Sequence, residues 1–510
     1  MDLNILNGDA SFNDKIYGGS AEHSIDNDFT LPDYYPEISK ILKCRVIPRV
    51  ASSSISGQTL TVDGNILINL IYCSPDNEIF GYEQTIPFTK AFEIGFDCLD
   101  GVPECTVKTE YVNCRAVNER KIDIHGAVGI YVSVYKTNST CIVTDIDCRD
   151  VIVRRGLLPA TSPVGTGEKS LLIEEELELG QGQPSIRCIL KYDAKAVNKE
   201  CKIISGKAVV KGELCIFILY CAEHTATPQI YRNSIPYSQI LDIDSLSDSC
   251  VCSAKTQVAN LEIKPRTSAV GETRSFVLSS KLNFCAKASC EDDLPVVLDA
   301  YSTKYNAEVK TKDVVIEKIQ KNINECFICK KGLENVGDVS SIVDVWCETN
   351  LKEALITDGN IKICGVLQVC VLAINSNDIP LYIERPVEFE YTSSIDISGK
   401  NLNITAEIIT NNVSYALLSG NCIEISAELC VNADLYTREK VSLVSDVCID
   451  ENNIKPKNID SALVIYYAEA GEELWSIARK YNSSPEEISE INSLQDDILL
   501  TKKTLLIPIK

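Results

Sequence analysis

The sequence predicts a mainly β protein of three tandem all-β units, sandwich- or barrel-like, that ends in a small βααβ module. Two observations predict this fold class. Apolar residues alternate with a period of two in three stretches at matching positions, which indicates strands. Only the last stretch of about 45 residues has apolar residues spaced as on one face of a helix. Many short strands joined by polar turns favour sandwiches or barrels.

A strand centred on a glycine identifies each copy of the repeated unit. The three glycines are Gly64, Gly212 and Gly365, which lie 148 and 153 residues apart. Apolar side chains alternate around them, as from Val62 to Tyr72 in the first copy. The opposite face of the same strand is partly apolar too, for example at Leu67 and Ile71. A strand that is apolar on both faces is typical of the middle of a packed sheet.

Two further marks recur at nearly fixed distances from these glycines. The residue 28 positions before each glycine is Pro36, Pro184 or Gly337. A proline followed by an aromatic residue comes after each glycine, in Ile86-Pro87-Phe88, Ile235-Pro236-Tyr237 and Pro386-Val387-Glu388-Phe389. Proline beside a strand predicts an edge or a turn. Each copy then continues with a second alternating run, at residues 122–134, 276–284 and 422–436.

The start of each copy and its glycine-centred strand resemble the SPOCS domain, which is found in sporulation proteins of spore-forming Firmicutes. The third copy departs from the pattern, with Gly337 in place of proline and Ala373 in place of tyrosine. The three domains are expected at residues 31–155, 184–320 and 321–450. The polar residues 1–30 are expected to be flexible, and residues 156–183 to form an acidic linker.

The C-terminal module is expected at residues 462–510, after a tether at 451–461. A β-prone run from Leu463 to Tyr467 comes first. The apolar stripe of a helix follows, at Leu474, Ile477, Ala478 and Tyr481. Ser484 and Pro485 suit the start of a second helix, and residues 504–507 form the closing strand. The module resembles a LysM domain, a family that binds N-acetylglucosamine glycans such as peptidoglycan.

This resemblance implies a groove between the loop after the first strand and the loop after the second helix. LysM domains usually carry Gly-Asp-Thr in the first loop, whereas this chain has Gly471, Glu472 and Glu473, and glutamate caps a helix poorly. Trp475 suits either a protein partner or a sugar. The spacing leaves open whether Leu474 is core or interface. The candidate partner- or glycan-binding residues are Gly471, Glu472, Glu473, Leu474, Trp475 and Asn492.

The sequence offers no constellation typical of an enzyme. His23, His125 and His224 do not recur between the copies, so a histidine-based triad is not expected. No phosphate-binding G-x-x-x-x-G-K-[ST] loop is present. Cys326 and Cys329 form the single C-x-x-C, which is too few ligands for zinc. We therefore predict a non-enzymatic protein without a metal or cofactor.

The cysteine content and the net charge limit the redox state, the partners and the cellular compartment that we expect. Most of the 23 cysteines are expected to be reduced and buried, with cross-linking as an alternative if the surroundings become oxidising. A net charge of −23 argues against nucleic acid as a partner. The chain has no basic segment followed by an apolar one at its start and no long apolar run, so we expect a cytoplasmic protein without direct membrane insertion.

SPOCS copies followed by a LysM domain are similar to a family of clostridial spore-coat morphogenetic proteins. That resemblance implies an adaptor in the mother cell that helps assemble the coat on the forespore surface. Its LysM domain would bind the coat-basement morphogenetic ATPase, and the SPOCS domains would contact that ATPase or other coat proteins. The alternative is a protein of the cell wall or spore cortex that binds peptidoglycan or another N-acetylglucosamine glycan.

Overall fold

A computed structural model describes residues 4–148, 150–223, 227–269, 271–357, 359–394, 401–418, 422–455 and 462–509. Most of the strands belong to three copies of one six-stranded unit. Repeat 1 consists of β1 (Asn4–Thr30), β2 (Lys40–Ser56), β3 (Thr59–Cys73), β4 (Ile79–Glu93), β5 (Val102–Ala116) and β6 (Lys121–Asp147). Repeat 2 consists of β7 (Val151–Glu178), β8 (Ile186–Ile204), β9 (Lys207–Ala222), β10 (Gln229–Asp242), β11 (Val251–Thr267) and β12 (Thr273–Ser302). Repeat 3 consists of β13 (Tyr305–Leu333), β14 (Ser341–Thr357), β15 (Asn360–Ile374), β16 (Pro380–Ser394), β17 (Leu402–Leu418) and β18 (Cys422–Ile454).

Each repeat folds as two three-stranded antiparallel sheets that share one core. The strand orders are β2-β3-β4 and β1-β6-β5 in repeat 1, β8-β9-β10 and β7-β12-β11 in repeat 2, and β14-β15-β16 and β13-β18-β17 in repeat 3. In repeat 1 the core joins Val62 and Tyr72 of β3 to Ile122 and Val128 of β6. The glycine-centred strand is the middle of one sheet, and the second alternating run lies in the middle of the other. The predicted mainly β class is confirmed.

The repeated glycines and aromatic residues are cross-strand partners. Gly64 pairs with Phe88, Gly212 with Tyr237 and Gly365 with Phe389. A Cβ atom at Gly64 would lie 2.3 Å from the carbonyl oxygen of Arg49 and 2.4 Å from the Phe88 ring. The other two glycines are equally crowded. The aromatic ring therefore covers the glycine. The repeated glycine and the repeated aromatic residue are thus two sides of one contact. The prolines lie on the edge strands β4, β10 and β16, as expected.

The departure of the third copy at two positions also has one cause. The Tyr72 hydroxyl donates to the carbonyl oxygen of Pro36 at 3.0 Å, and the Tyr220 hydroxyl donates to that of Pro184 at 3.4 Å. These bonds hold the segment before β2 or β8 against the central strand. Repeat 3 has Ala373 in place of the tyrosine and Gly337 in place of the proline. The residue that donates this hydrogen bond and the residue that accepts it therefore differ together in this repeat.

Two predicted irregular segments are strands instead. Residues 4–30 form β1, which pairs along its length with β6, and most of the expected linker at 156–183 belongs to β7, which pairs with β12. Both are edge strands, so one row of backbone groups needs no protein partner and polar side chains can face solvent. The predicted boundary between the second and third domains, at residues 320 and 321, falls inside β13, which is also an edge strand with many polar side chains. Each repeat thus begins about one strand earlier than its SPOCS resemblance suggests.

The three repeats pack around shared apolar centres. A β-bulge sits at Leu42 in β2, at Leu190 in β8 and at Val343 in β14. These three residues meet Ile71, Leu219 and Leu372 from the outer faces of β3, β9 and β15. A second centre joins Val143, Val297 and Val444 from the ends of β6, β12 and β18. The second apolar face of the glycine-centred strands is therefore an interface between repeats.

The last module contains β19 (Leu463–Ala468), α1 (Leu474–Tyr481), α2 (Pro485–Asn492) and β20 (Lys503–Pro508). The two strands pair antiparallel, which confirms the βααβ order. β18 extends to Ile454, so the start of the expected tether at 451–461 is strand, and residues 456–461 lie outside the described residues.

Candidate interaction site of the C-terminal module

The core of the module uses the apolar stripe that the sequence predicts. Leu474, Ile477 and Ile488 from the helices meet Leu505 and Ile507 from β20. Leu474 is only 1% exposed, so it stabilises the module and is not available to a partner. Its place among the candidate binding residues is therefore wrong, because the first residue of α1 turns inward beneath the loop that precedes it.

The two loops expected to flank a ligand groove are joined through their backbones. The amide of Gly471 donates to the carbonyl of Leu499 at 2.7 Å, and the amide of Leu499 donates to the carbonyl of Glu472 at 3.0 Å. The amide of Leu474 donates to the carbonyl of Asp497 at 2.8 Å. Gly471 has a φ of +92°, a conformation that L side chains rarely adopt. The glycine is thus required by the turn itself.

Glu472 holds its own loop closed. Its carboxylate accepts hydrogen bonds from the Tyr466 hydroxyl at 2.9 Å and from the Glu469 amide at 2.9 Å. The bond to this carboxylate raises the pKa of Tyr466 above its ordinary value. Glu472, which stands at the aspartate position of the usual Gly-Asp-Thr loop, therefore bonds within the turn.

Glu473 and Trp475 contact repeat 2 in the structure. Glu473 occupies the N-cap of α1 without a side-chain capping bond, and its carboxylate pairs with Arg154 of β7 at 3.0 Å. The Trp475 Nε1 atom donates to Asp299 Oδ2 of β12 at 2.9 Å, and its ring meets Tyr301 edge-on with centroids 5.0 Å apart. These two candidate residues dock the module onto the body of the protein.

Further polar contacts complete this docking surface. Arg479 of α1 pairs with Asp299 at 2.6 Å. The Tyr301 hydroxyl donates to the carbonyl of Ser483 at 2.6 Å. Lys455 donates to Asn482 Oδ1 at 2.8 Å. Burial of Tyr301 raises the pKa of its hydroxyl, because the ionised form would lose its hydration.

Asn492 ties α2 to β20. Its side-chain nitrogen donates to the carbonyl oxygens of Ile488 and Leu506, and its side-chain oxygen accepts from the amide of Leu506 at 2.7 Å. All of these contacts are internal to the module. Asn492 therefore has a structural role here and holds one wall of the expected groove in place.

The outer face of the β19–β20 sheet forms an exposed apolar strip. We define the apolar strip as Leu463, Ile465, Tyr467 and Leu506. Ile465 and Leu506 are direct cross-strand partners, and Tyr467 is 78% exposed. Sequence reasoning missed this strip, although five apolar residues in a row at 463–467 were its signal. A two-stranded sheet that packs helices on one face leaves every second side chain on the other.

The two histidines that the structure describes, His23 and His125, do not converge on a site. His125 lies on β6 between two carboxylates, 3.0 Å from Asp26 and 2.9 Å from Asp123, on an exposed part of repeat 1. His23 packs near the Phe88 ring. His224 lies outside the described residues. Within the described ranges, no group of three or more His, Cys, Asp or Glu side chains is arranged to hold a metal ion.

Most cysteines are free thiols, as expected, but four of them are bonded to each other. Disulfides join Cys250 to Cys290 and Cys326 to Cys430. The C-x-x-C pair lies on β13, where residues three apart point to opposite faces, so Cys326 is exposed and Cys329 is buried. The two sulfurs therefore cannot share a metal, and Cys326 pairs across the ladder with β18 instead.

Comparisons with known proteins agree with the two resemblances. The family model described as SipL, SPOCS domain matches residues 37–127 and 185–265, and the LysM domain model matches residues 466–508. No curated protein and no solved structure matches the chain. The two SPOCS segments begin just before β2 and just before β8, in repeats 1 and 2.

The matched families set the class of the protein. The chain carries SipL-type SPOCS segments and a C-terminal LysM domain, which together indicate a sporulation protein. Both are non-catalytic domain families, and LysM domains are peptidoglycan-binding modules. Neither helix in the described ranges has the length and apolar character needed to cross a bilayer.

Proposed function

We propose that this protein is a non-enzymatic adaptor of spore-coat assembly, and that its LysM domain binds the coat-basement morphogenetic ATPase. The proposal extends the resemblance to clostridial spore-coat morphogenetic proteins, and it places the protein in the mother cell at the forespore surface. Repeat 3 acts as a third SPOCS domain in this account, because its two sheets have the strand order of repeats 1 and 2. The repeats contact the ATPase or other coat proteins.

The apolar strip is the observation that carries the proposal. Trp475 and Glu473 are engaged with repeat 2, so the module turns the β19–β20 sheet outward. The strip presents three aliphatic side chains and one tyrosine on adjacent strands. A contiguous exposed apolar patch on a soluble domain is typical of a protein interface.

The chemistry of the strip favours a protein over a sugar. Sugar rings need polar groups beside an aromatic face, whereas the strip is mostly aliphatic and matches the apolar centre of a protein interface. The residues that would form the glycan groove are held by internal bonds, at Glu472 and Asn492, or by repeat 2, at Glu473 and Trp475. We therefore assign the strip to the ATPase.

Substitution of a strip residue in the full chain tests this assignment. Tyr467→Ser should weaken binding to the purified ATPase by at least tenfold, as loss of an interfacial anchor does. Tyr34→Ser is the matched control, because Tyr34 is 83% exposed but lies in repeat 1. Equal affinities of both variants would remove the strip from the interface, and the thermal midpoints of both should match the parent chain.

Glycan binding is the second candidate function, and the LysM match at residues 466–508 supports it. In that case an N-acetylglucosamine oligomer should bind the full chain, and substitution of Tyr467 should leave its affinity unchanged. Asp299→Ala, which frees Trp475 from repeat 2, should then raise the affinity for the oligomer.

A further inference from the structure

A cavity of about 370 Å³ lies where the three repeats meet. Its walls come from β8, β9 and β10 of repeat 2, from β14 and β17 of repeat 3, and from β2 of repeat 1. Lining residues with distinct chemistry are Arg45, Lys191, Phe217, Arg232, Asp344 and Trp346. The volume falls in the range of about 300–1,000 Å³ that is usual for small-molecule sites.

A difference between the repeats explains why the cavity is at this junction. Gly81 of β4 lets repeat 1 approach β8 of repeat 2 closely, since a Cβ atom there would lie 2.3 Å from the carbonyl oxygen of Ile189. Gly81 pairs with Ile71, and the equivalent pair in repeat 2 is Ile230 with Leu219. Ile230 puts a larger side chain at this position, and β10 contacts β14 much less extensively than β4 contacts β8, which leaves space at this junction.

The ion pairs around the cavity leave several donors without an acceptor. Asp193 accepts from both Arg45 and Arg49, at 3.3 and 3.4 Å, and the buried ammonium of Lys191 pairs with Asp344 at 2.5 Å. Arg45 is 7% exposed, and its Nε and Nη1 atoms have no hydrogen-bond partner among the described residues. The Nε1 atom of Trp346 is also buried without a partner there.

The charges around the cavity are biased toward the positive. Its lining includes four basic side chains and three acidic ones, and Arg49 adds a fifth base that competes for Asp193. Arg232 at the margin has no carboxylate within ion-pair distance in the part of the chain that the structure describes. Unpaired donors and a surplus of bases in a protein of net charge −23 call for an acceptor that carries negative charge.

We propose that this cavity binds a small organic carboxylate with an apolar body. The carboxylate pairs with the exposed guanidinium of Arg232, the unpartnered side chains of Arg45 and Trp346 in the lining favour a negative charge there, and the apolar body lies along Phe217. Charge-assisted bonds of this kind are the strong ones inside a protein, because little water competes for them. The ligand would connect all three repeats, so its binding would stabilise their arrangement.

Tryptophan fluorescence of the full chain tests the site. The chain has only two tryptophans, so Trp475→Phe leaves Trp346 as the sole indole reporter. Benzoate serves as the probe, benzamide as its neutral isostere and inorganic phosphate as an anion without an apolar body. We expect a saturable change with benzoate, and affinities at least tenfold lower for benzamide and for phosphate.

A second substitution assigns the response to the cavity. Arg232→Gln should weaken benzoate binding about tenfold, whereas Arg385→Gln, which removes a charge from β16 of repeat 3, should leave it unchanged. Arg232 is exposed and makes no ion pair within the described ranges, so the thermal midpoint of the Arg232→Gln variant should match that of the parent chain. Absence of a saturable response to benzoate, equal affinity for benzamide or phosphate, or an unchanged affinity in Arg232→Gln would each overturn the proposal.

Discussion

Trp475 of the LysM domain donates a hydrogen bond to Asp299 of repeat 2, with 2.9 Å between Nε1 and Oδ2. The same carboxylate oxygen accepts from Arg479 at 2.6 Å. One carboxylate at the end of β12 therefore binds two residues of α1, one helical turn apart. This contact is one of several that orient the module and so turn the apolar strip outward.

Removal of that carboxylate should loosen the module. Asp299→Ala breaks both bonds, and a hydrogen bond to a charged group contributes about 1.5–3 kcal/mol. We expect faster hydrogen exchange in α1 residues 474–481 and an increased radius of gyration by small-angle scattering. Asp313→Ala, which removes a carboxylate of β13, is the control. Unchanged exchange in Asp299→Ala would show that other contacts hold the module.

A methyl group on the central glycine of repeat 1 should be costly. Gly64→Ala would place Cβ 2.3 Å from the Arg49 carbonyl and 2.4 Å from the Phe88 ring, so either the strand or the ring must shift. We expect a loss of about 2–3 kcal/mol in the free energy of unfolding, measured by urea denaturation. Gly180→Ala is the control, since its nearest neighbour would be 3.7 Å away. A loss below about 0.5 kcal/mol at Gly64 would contradict the packing described.

The glycine and aromatic marks illustrate what the sequence could predict. Spacing located the repeats, and the helical stripe of the LysM domain located its core, because both follow from local periodicity. Spacing could not tell that Phe88 covers Gly64, since that contact depends on the register between β3 and β4. Nor could it find β1, whose side chains are largely polar and whose partner β6 lies about a hundred residues further on.

The candidate site was predictable only in part for a related reason. The sequence singled out Gly471 and Trp475 as candidate binding residues, but it could not show the contacts that they make within the chain. Trp475 contacts Asp299 across 176 residues of sequence, which no local pattern reveals. The spacing of apolar residues leaves open whether Leu474 is in the core or on the surface, because that depends on the loop that covers it. The apolar strip was visible as a run of five apolar residues, but its exposed face became clear only with the strand pairing.

Glu83 should make stability depend on pH. Burial between repeats 1 and 2 raises the pKa of its carboxyl to about 7. The folded protein therefore keeps a proton on Glu83 that the unfolded chain releases near pH 4.5. The contribution of the protonated carboxyl to the free energy of unfolding is fully present below pH 4.5 and is lost as the pH rises through 7. Glu83→Gln stays neutral, so its stability relative to the parent should rise by about 3 kcal/mol when the pH is raised from 4.5 to 8.

Urea denaturation of both proteins at these two pH values measures the difference. Glu174→Gln, at an exposed position of β7, is the control and should show none. A gain at pH 4.5 as large as that at pH 8 would mean that the charge of Glu83 is not the cause.

Mild oxidation should link β8 to β11 in repeat 2. The Sγ atoms of Cys201 and Cys252 lie 2.9 Å apart. Oxidised glutathione would accept two electrons and two protons from the thiols and become two reduced molecules, while one S–S bond forms in the protein. We expect a mass loss of about 2 Da at this pair and a gain of about 2–4 kcal/mol in stability.

Repeat 1 provides a natural comparison, because Ser53 occupies the position of Cys201 and faces Cys105. Cys201→Ser should therefore reproduce that arrangement and abolish the mass change. Peptide mapping after alkylation identifies the linked residues. Two freely alkylated thiols after oxidation would contradict the geometry.

The central claim is that the LysM domain serves a protein partner, and calorimetric titration of the full chain against two ligands tests it most directly. One ligand is the coat-basement ATPase of the same organism, and the other is an N-acetylglucosamine oligomer. We expect tight binding of the ATPase, loss of that binding in Ile465→Ser and no heat with the oligomer. Binding of the oligomer alone, unaffected by Ile465→Ser, would contradict it.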